Sequence, residues 1–477
     1  MIFNTFEFLW LFPLIFSIYY LITCKNKIVA KFPKIGNSLL IVISYGLYIK
    51  WKPVCALILL GVTAITYLTA LKIEKDKAFG KKKYIIGGGI ALAALPLLIF
   101  KYYNFLNDQF TTVISYTGIE AGLPGLNWAM PLGISFFTLQ AIGYLADVYL
   151  QRIKAEHNWW DYMLFVSFFP QIASGPISKA ADLLPQIKAN RRFNYEQAVQ
   201  GLRWLLWGMF MKVVVADRIG TSIDSFNGTL QDESGLMNLA IAILYSFQIY
   251  ADFAGYSFMA IGVGELIGFE LVNNFKRPYL SQSVTDFWHR WHISLSTWLK
   301  DYIYIPLGGS RCSKARNYWN IMVTFLVSGL WHGANWTFVA WGGMHGVFQI
   351  IEKMVGLNKK EHTGIFKGIR IVVTFLVVSF AWVFFRQPTF TDAWNQVVRI
   401  FTNYDMTLHF TSESLFYMLL GISIVVIKDM TDEWNLSCID VFHSKYKVVR
   451  WATYLFLITA ILLTGIFDTS QFIYINF

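Results

Sequence analysis

The sequence predicts an all-helical protein that crosses a membrane many times. Of its 477 residues, 56% are hydrophobic and only 14% are charged, whereas a soluble domain carries about 25% charged residues. Apolar stretches of about 20 residues recur along the whole chain, and each can cross the hydrocarbon layer as a helix. A helix also satisfies its own backbone hydrogen bonds there. We expect about eleven spans in one membrane domain, residues 1–477.

The first apolar run, 8–22, has no basic residues before it and no small-residue cleavage site after it, so it predicts a retained helix. Further apolar segments lie at 35–51, 53–71, 84–103, 128–150, 159–177, 201–216, 236–269, 318–333, 336–355, 369–385, 415–427 and 451–467. The stretch 164–177 contains two prolines and a glycine, which predicts a broken or re-entrant helix shielded by protein. Segment 236–269 is long enough for a span followed by a second, broken half.

The basic residues orient these spans. The net charge of +11 suits either nucleic-acid binding or basic cytoplasmic loops, and the second is favoured because the basic residues fall in short loops. Six lysines lie between positions 72 and 83, whereas 104–127 and 219–235 contain only acidic charges. A further lysine cluster follows the first span, at Lys25, Lys27, Lys31 and Lys34. We therefore expect an N-terminus outside and cytoplasmic loops at 179–203 and 276–316.

The four cysteines, Cys24, Cys55, Cys312 and Cys438, form no CxxC pair, so the sequence indicates neither a disulfide scaffold nor a zinc site. The segment 276–316 is unusual for a loop, with seven basic residues and two acidic ones among its tryptophans. Its pattern predicts short amphipathic helices at or just inside the interface, formed around Trp288, Trp291, Ile293, Leu295 and Trp298. Basic residues beside aromatics also suit a phosphate-bearing or acidic partner; the alternative is anchoring alone.

His332 lies in an apolar, aromatic segment, SGLWHGANW at 328–336, with no acid or base beside it. Imidazole titrates near neutral pH, and a polar group at membrane depth predicts a functional site. If a straight helix begins at Tyr318, His332 lies about 21 Å along it, past the middle of a core about 30 Å thick. A donor arriving from the cytoplasm then needs a tunnel, whereas an acceptor would approach from outside.

Other polar residues have competing explanations. His289 and His292 are three positions apart and would share a helical face. A metal site formed by the two histidines would lack the carboxylate that completes such a motif. Roles as amphipathic interface residues are therefore favoured, unless His292 joins His332. His345 lies among glycines that allow close helix packing, which predicts a hydrogen-bonded core histidine. Asp252 is an intramembrane acid that either pairs with a buried base or lines a polar cavity.

Several segments together resemble one known family. They are PLGISFF at 131–137 followed by Tyr144 and Asp147, SFFPQ at 167–171 with GPI at 175–177, DFAGYS at 252–257, DFWHRWHISLS at 286–296, and WHG at 331–333. These resemble the motifs of the membrane-bound O-acyltransferase family, in particular its bacterial alginate O-acetyltransferase branch. The resemblance covers most of the chain, with the core motifs at about 128–350.

The resemblance implies a ring of tilted helices around a thin centre, with a cytoplasmic donor tunnel and an opposite acceptor funnel. It implies that His332 is the essential histidine and that His292 occupies the second polar position of the site. Relatives of this branch pass acyl groups outward to exported polysaccharide, usually with periplasmic partner proteins. Two positions differ from the branch: Phe258 replaces a common acid, which would alter the acceptor side, and His289 replaces a common arginine.

Acyl transfer is the main functional hypothesis. A neutral His332 would accept the proton of an acceptor hydroxyl as that oxygen attacks a thioester, and would then protonate the leaving thiolate. His292 would orient the acceptor or stabilise the oxyanion. The candidate channel residues are Asp252, Trp288, Arg290, Trp331 and Asn335. Arg290 and Lys300 are candidates for holding the phosphates of acetyl-coenzyme A or an acidic carrier protein, which would be a co-substrate rather than a bound cofactor.

The alternative of another class is a transporter without chemistry. It predicts an internal hydropathy repeat, which the chain does not show, although Asp252 would suit it. Within acyl transfer, three acceptors compete: an exported polysaccharide such as alginate, peptidoglycan, and teichoic acid in a D-alanylation route. The expected location is the bacterial inner membrane, and no nucleic-acid partner is expected.

Overall fold

The computed structural model describes residues 3–24, 34–76, 78–118, 122–128, 130–226, 228–357, 362–436, 440–467 and 473. The described residues form helices and connecting loops, with no strand among them. The predicted loop residues Lys25, Lys27 and Lys31, and also Cys438, lie outside these ranges.

The α-helices of the first half are α1 (Phe6–Thr23), α2 (Ile35–Trp51), α3 (Pro53–Lys75), α4 (Phe79–Ser115), α5 (Ile134–Tyr149), α6 (Trp159–Ser167), α7 (Phe169–Ile172), α8 (Ala180–Lys188), α9 (Tyr195–Met209) and α10 (Asp217–Asp224). Those of the second half are α11 (Gly235–Leu266), α12 (Val284–Arg290), α13 (Ile293–Leu299), α14 (Lys314–His332), α15 (Trp336–Val355), α16 (Gly364–Arg386), α17 (Phe390–Thr402), α18 (Ser412–Glu433) and α19 (Lys447–Thr464). A π-helix, Phe210–Ala216, joins α9 to α10.

Within the described residues, seven helices are long and apolar enough to cross a membrane. They are Pro53–Lys75, Gly80–Ser115, Tyr195–Asp224, Gly235–Leu266, Gly364–Arg386, Ser412–Glu433 and Lys447–Thr464. Multiple apolar helices of this length agree with the predicted multi-pass membrane protein. The count of about eleven spans and the tunnel stay predictions.

The predicted break in segment 164–177 is confirmed. Helix α6 ends at Ser167, Phe168 has non-helical torsion angles (φ −56°, ψ 106°), and Pro170 is the second residue of the short α7. Proline is tolerated there because the first turn of a helix leaves its N–H groups without partners inside the helix. The residues of α7 are all buried, so protein shields the interruption, as expected.

Segment 236–269 does not break. The expectation of a span followed by a broken half is wrong, because α11 continues without interruption for 32 residues from Gly235 to Leu266. Its glycines serve close packing against α9 instead: a Cβ on Gly262 would lie 2.5 Å from the carbonyl oxygen of Gly201, and one on Gly208 would lie 2.5 Å from that of Gly255. Small residues let the two backbones touch, and the packed neighbour keeps the glycine-rich helix regular.

The same kind of contact joins α14 to α15. A Cβ on Gly329 would lie 2.2 Å from the carbonyl oxygen of Phe338, and a Cβ on Gly342 would lie 2.3 Å from that of Phe325. The two helices therefore touch backbone to backbone. This contact determines where the end of α14, which carries His332, lies relative to α15.

The segment 276–316 contains the short helices that its sequence predicts, including α12, α13 and a π-helix at Lys300–Tyr304. Two of its tryptophans, Trp288 and Trp291, are buried inside the protein. The Trp288 ring contacts that of Trp341 at 5.7 Å, and the Trp291 ring contacts that of Trp382 at 5.1 Å. The two rings therefore pack inside the protein against aromatic partners on α15 and α16, and the position of the segment at the interface stays a prediction.

Candidate active site

His332 is the last residue of α14. The helix ends there because Gly333 adopts an extended conformation (φ −168°), and a Cβ on Gly333 would lie 2.1 Å from the Phe338 ring. The imidazole is 1% exposed. Its neighbours are the rings of Trp331, Trp341 and Phe385, with centroids 4.9, 5.0 and 5.3 Å away.

His292 lies between α12 and α13 in the left-handed conformation (φ 43°, ψ 53°). Such a conformation is strained for a residue other than glycine and concentrates at functional sites. Asn274 holds the turn: its carbonyl oxygen accepts from the Ile293 N–H at 3.0 Å, and its side-chain oxygen accepts from the Ser294 N–H at 3.0 Å. Because α12 ends at Arg290, the expected shared helical face of His289 and His292 is wrong; His289 is exposed whereas His292 is buried.

The two buried histidines meet at Trp331. The Trp331 ring lies 5.9 Å from the His292 ring and 4.9 Å from the His332 ring. Phe136 contacts both His292, at 6.2 Å, and Trp331, at 5.5 Å, and Phe253 contacts His292 at 4.6 Å. The fold thus brings residues from α5, α11, the α12–α13 turn and α14 into one aromatic cluster.

The surroundings of His292 leave its polar atoms without a protein counterpart. Among the described residues, no other residue forms a hydrogen bond with either of its ring nitrogens, and its side chain is fully buried. A buried polar group without a partner costs about 1–3 kcal/mol, and most such groups in folded proteins have one. The imidazole is therefore suited to bind a polar atom of a ligand.

Lys101, on α4, is a polar neighbour that sequence reasoning missed. Its ammonium donates to the carbonyl oxygen of Trp331, lies 3.5 Å from the Ser135 hydroxyl, and is 5.6 Å from the centroid of the Trp331 ring. The adjacent Tyr102 donates to the carbonyl oxygen of Leu330 at 2.6 Å. The sequence signal for it is a single lysine near the end of the apolar segment 84–103, since a charge at membrane depth indicates a functional site.

Asp252 pairs with a buried base, which is the first of the two roles that its sequence position predicts. Its Oδ1 lies 2.7 Å from the ammonium of Lys212, which also contacts Asp217. Its Oδ2 accepts from the backbone N–H of Ile473 at 2.9 Å. The motif that contains Asp252 reaches the histidine cluster through the next residue, Phe253.

The other channel candidates have structural partners. Trp288 donates to Nδ1 of His345 at 3.2 Å, which confirms His345 as a hydrogen-bonded core histidine. Asn335 accepts from the Thr337 N–H at 3.0 Å at the start of α15, and donates to the Pro388 carbonyl at 2.7 Å.

The two phosphate candidates differ in charge environment. Arg290 lies 2.9 Å from both Asp286 and Glu433, so its charge is already balanced by carboxylates. Lys300 is exposed at the start of the π-helix. Of the pair, Lys300 is the one whose position leaves its charge open to an approaching anion.

A cavity of about 210 Å³ lies among α5, α13 and the loop before α8. Its walls include Gln140, Tyr144, Asp147, Ser178, Lys179, Ser294, Trp298 and Tyr302. Ser294 is two residues after His292, and Gln140 is one helical turn after Phe136. The wall of this cavity therefore includes one residue close in the chain to His292 and one close to Phe136.

A larger cavity of about 590 Å³ contains Phe258 in its wall, together with Arg203, Lys276 and Lys428. Phe258 stacks on Trp204 at 4.9 Å, toward the end of α11 that carries Leu266. Phe258 therefore lies in the wall of a cavity whose charged residues include these three bases, and its effect on the acceptor side stays a prediction.

The fold and the histidine cluster define a multi-pass membrane protein with two enclosed histidines. The sequence profile of the membrane-bound O-acyltransferase (MBOAT) family matches residues 150–386, which contain both histidines. The chain therefore has the family's motif region and the buried histidine pair in the same segment.

Relatives extend the match along the chain. It is 36% identical over 405 residues to the "Probable alginate O-acetylase AlgI" of Pseudomonas aeruginosa, covering 84% of this chain and 75% of that protein. It is 35% identical over 424 residues to the "Peptidoglycan O-acetyltransferase" of Helicobacter pylori, covering 82% of this chain and 78% of that protein. The "Teichoic acid D-alanyltransferase" of Bacillus subtilis is 25% identical over 351 residues, covering 71% of this chain and 86% of that protein. The chain belongs to the membrane-bound O-acyltransferase family and is an acyltransferase.

Proposed function

We propose that this protein is an O-acetyltransferase of the bacterial inner membrane, with its N-terminus outside. It moves an acetyl group from a cytoplasmic thioester to a hydroxyl of an exported polysaccharide of the alginate type. The observation that supports this most is the meeting of His292 and His332, 40 residues apart in the chain, at the ring of Trp331. Two imidazoles in an apolar enclosure provide the proton transfer and the hydrogen bonding that acyl transfer requires.

His332 acts as the general base and acid. Its neutral imidazole takes the hydroxyl proton of the acceptor as the hydroxyl oxygen bonds to the thioester carbonyl carbon. When the resulting oxyanion re-forms the carbonyl, the carbon–sulfur bond breaks and the imidazolium returns the proton to the leaving thiolate. Proton transfer of this kind contributes about 10²–10⁴ in rate.

His292 stabilises the oxyanion from the donor side. The cavity of about 210 Å³ adjoins its turn through Ser294, so a thioester arriving there meets His292 first. Phe136 and Phe253 pack on the ring and hold it in place, and an N–H held in advance costs no reorganisation during the reaction.

The donor enters through this cavity, which is lined by Trp298 and Tyr302 from the segment 276–316. Because His332 is buried behind Trp331, the Trp331 and Phe136 rings move aside when the acyl group reaches it. The exposed Lys300 suits a phosphate group of coenzyme A or of a carrier-protein arm. Arg290 does not, since two carboxylates already neutralise it.

The acceptor is assigned through the relatives. Those named for O-acetyl transfer are 35–38% identical to this chain, whereas those named for D-alanyl transfer are 25–27% identical. O-acetylation is therefore favoured over D-alanylation. Between polysaccharide and peptidoglycan, five of the relatives are named for alginate, and a periplasmic partner protein completes delivery to the polymer.

The test is release of free thiol from acetyl-coenzyme A, and from an acetylated carrier protein, by the purified full chain with a hydroxyl acceptor. We expect His332→Ala to lower the turnover by at least about 10², while His289→Ala, a change at an exposed histidine, leaves it near wild type. Wild-type turnover in His332→Ala would refute the assignment. A wild-type protein that releases no thiol from either donor would favour the transporter.

A further inference from the structure

We propose that Lys101 and Tyr102 form a clamp that positions His332, with the charge of Lys101 as its essential part. The inference rests on the proposed function, because it concerns the same histidine. Neither residue lies in the segments by which the sequence resembles the family, and both lie on α4, outside the profile match at 150–386.

The first step is the end of α14. The last four carbonyl groups of a helix have no partner within it. Of these, the Gly329 carbonyl accepts from the Gly333 N–H at 3.3 Å, the Leu330 carbonyl accepts from Tyr102, and the Trp331 carbonyl accepts from Lys101. Two adjacent side chains of α4 thus hold the two residues that precede His332.

The second step is the charge. Tyr102 shows that a neutral donor is sufficient to bond a carbonyl at this place, and a lysine inside a membrane-spanning helix is costly. The end of a helix carries a partial negative charge of about −0.5, and an ammonium offsets it. The same ammonium attracts the face of the Trp331 ring, 5.6 Å away, by a cation–π interaction.

The third step is the effect on catalysis. Trp331 contacts both histidines, and its ring moves when the donor reaches His332. Lys101 holds the backbone of Trp331, so the indole ring of Trp331 moves while His332 stays in place. Because misplacing a catalytic group by about 1 Å can cost about 10² in rate, Lys101 acts as a positioning residue that does not touch the substrate.

The experiment compares Lys101→Met, Lys101→Gln, Lys101→Arg and Tyr102→Phe in the full-length chain, by thiol release from acetyl-coenzyme A. We expect Lys101→Met to lower kcat by about 10–100-fold with the donor KM changed less than about twofold. Arginine, which keeps the charge, restores kcat further than glutamine, which restores only a neutral donor. Tyr102→Phe lowers kcat less than Lys101→Met does.

The matched control is Lys83→Met, which removes an exposed lysine from the same helix and leaves kcat unchanged. Wild-type kcat in Lys101→Met, or equal rescue by arginine and glutamine, would overturn the role of the charge. If Lys101→Met does not fold, as judged by its melting temperature, the comparison of arginine with glutamine decides the question alone. Wild-type turnover in His332→Ala would refute the proposed function. A His332→Ala variant with turnover lowered by at least about 10², beside a fully active Lys101→Met, would refute the clamp only.

Discussion

The contact between α14 and α15 leads to a paired prediction at two adjacent glycines. A Cβ on Gly342 would lie 2.3 Å from the carbonyl oxygen of Phe325, whereas one on Gly343 would lie 3.7 Å from its nearest neighbour, a methyl group of Leu326. The first distance is closer than real Cβ atoms approach other atoms, and the second is ordinary contact. Gly342→Ala must therefore separate the helices by about 1 Å, while Gly343→Ala requires no movement.

The expected magnitudes follow from that separation. Replacing glycine by alanine inside a helix is worth about 0.5–1 kcal/mol in stability, so Gly343→Ala leaves the protein equally or slightly more stable. Overpacking costs about 1–3 kcal/mol, so Gly342→Ala lowers the free energy of unfolding. Since His332 ends α14, a displacement of about 1 Å lowers acetyl transfer by about 10².

The assays are thermal unfolding of the purified proteins in detergent and thiol release from the acetyl donor. Gly342→Ala is expected to lose both stability and turnover, and Gly343→Ala to keep both. Equal turnover in the two variants would refute the argument that this backbone contact positions the catalytic helix. A loss of turnover in Gly343→Ala but not in Gly342→Ala would contradict the predicted order of the two variants.

Three further predictions concern charge and the donor cavity. Lys212→Met should lower the melting temperature more than Asp252→Asn does, because it leaves two buried carboxylates without their cation. Breaking a buried ion pair costs about 3–5 kcal/mol. A smaller decrease in Lys212→Met than in Asp252→Asn would contradict the pairing. Lys300→Gln should raise the KM for a phosphate-bearing donor by about fivefold, as about 1 kcal/mol from one exposed charge implies, whereas Arg290→Gln should change stability more than KM. Trp298→Ala should raise the donor KM by about tenfold with a smaller change in kcat. The substitution removes an aromatic wall of the cavity, whose contact with the donor is worth roughly 1–2 kcal/mol. An unchanged KM would mean that the donor binds elsewhere.

The sequence alone determined the class of the protein. The lengths of the apolar segments are local properties, so they predicted a polytopic helical protein, and the prolines near Phe168 predicted the break between α6 and α7 because proline acts on its own turn. The motifs around His292 and His332 were sufficient to indicate the family. The hydrogen-bonded state of His345 was also predictable, since buried imidazoles among close-packed helices find partners.

Only the tertiary structure decided how the polar groups are paired and where the aromatic residues lie. The partner of Asp252, the neutralised charge of Arg290 and the burial of Trp291 each depend on residues distant in the sequence, and no local pattern contains that information. Lys101 is the clearest case, because it meets Trp331 from 230 positions away in the chain. Membrane depth makes such a charge costly, but only the tertiary position of α4 beside the end of α14 determines which backbone group it binds.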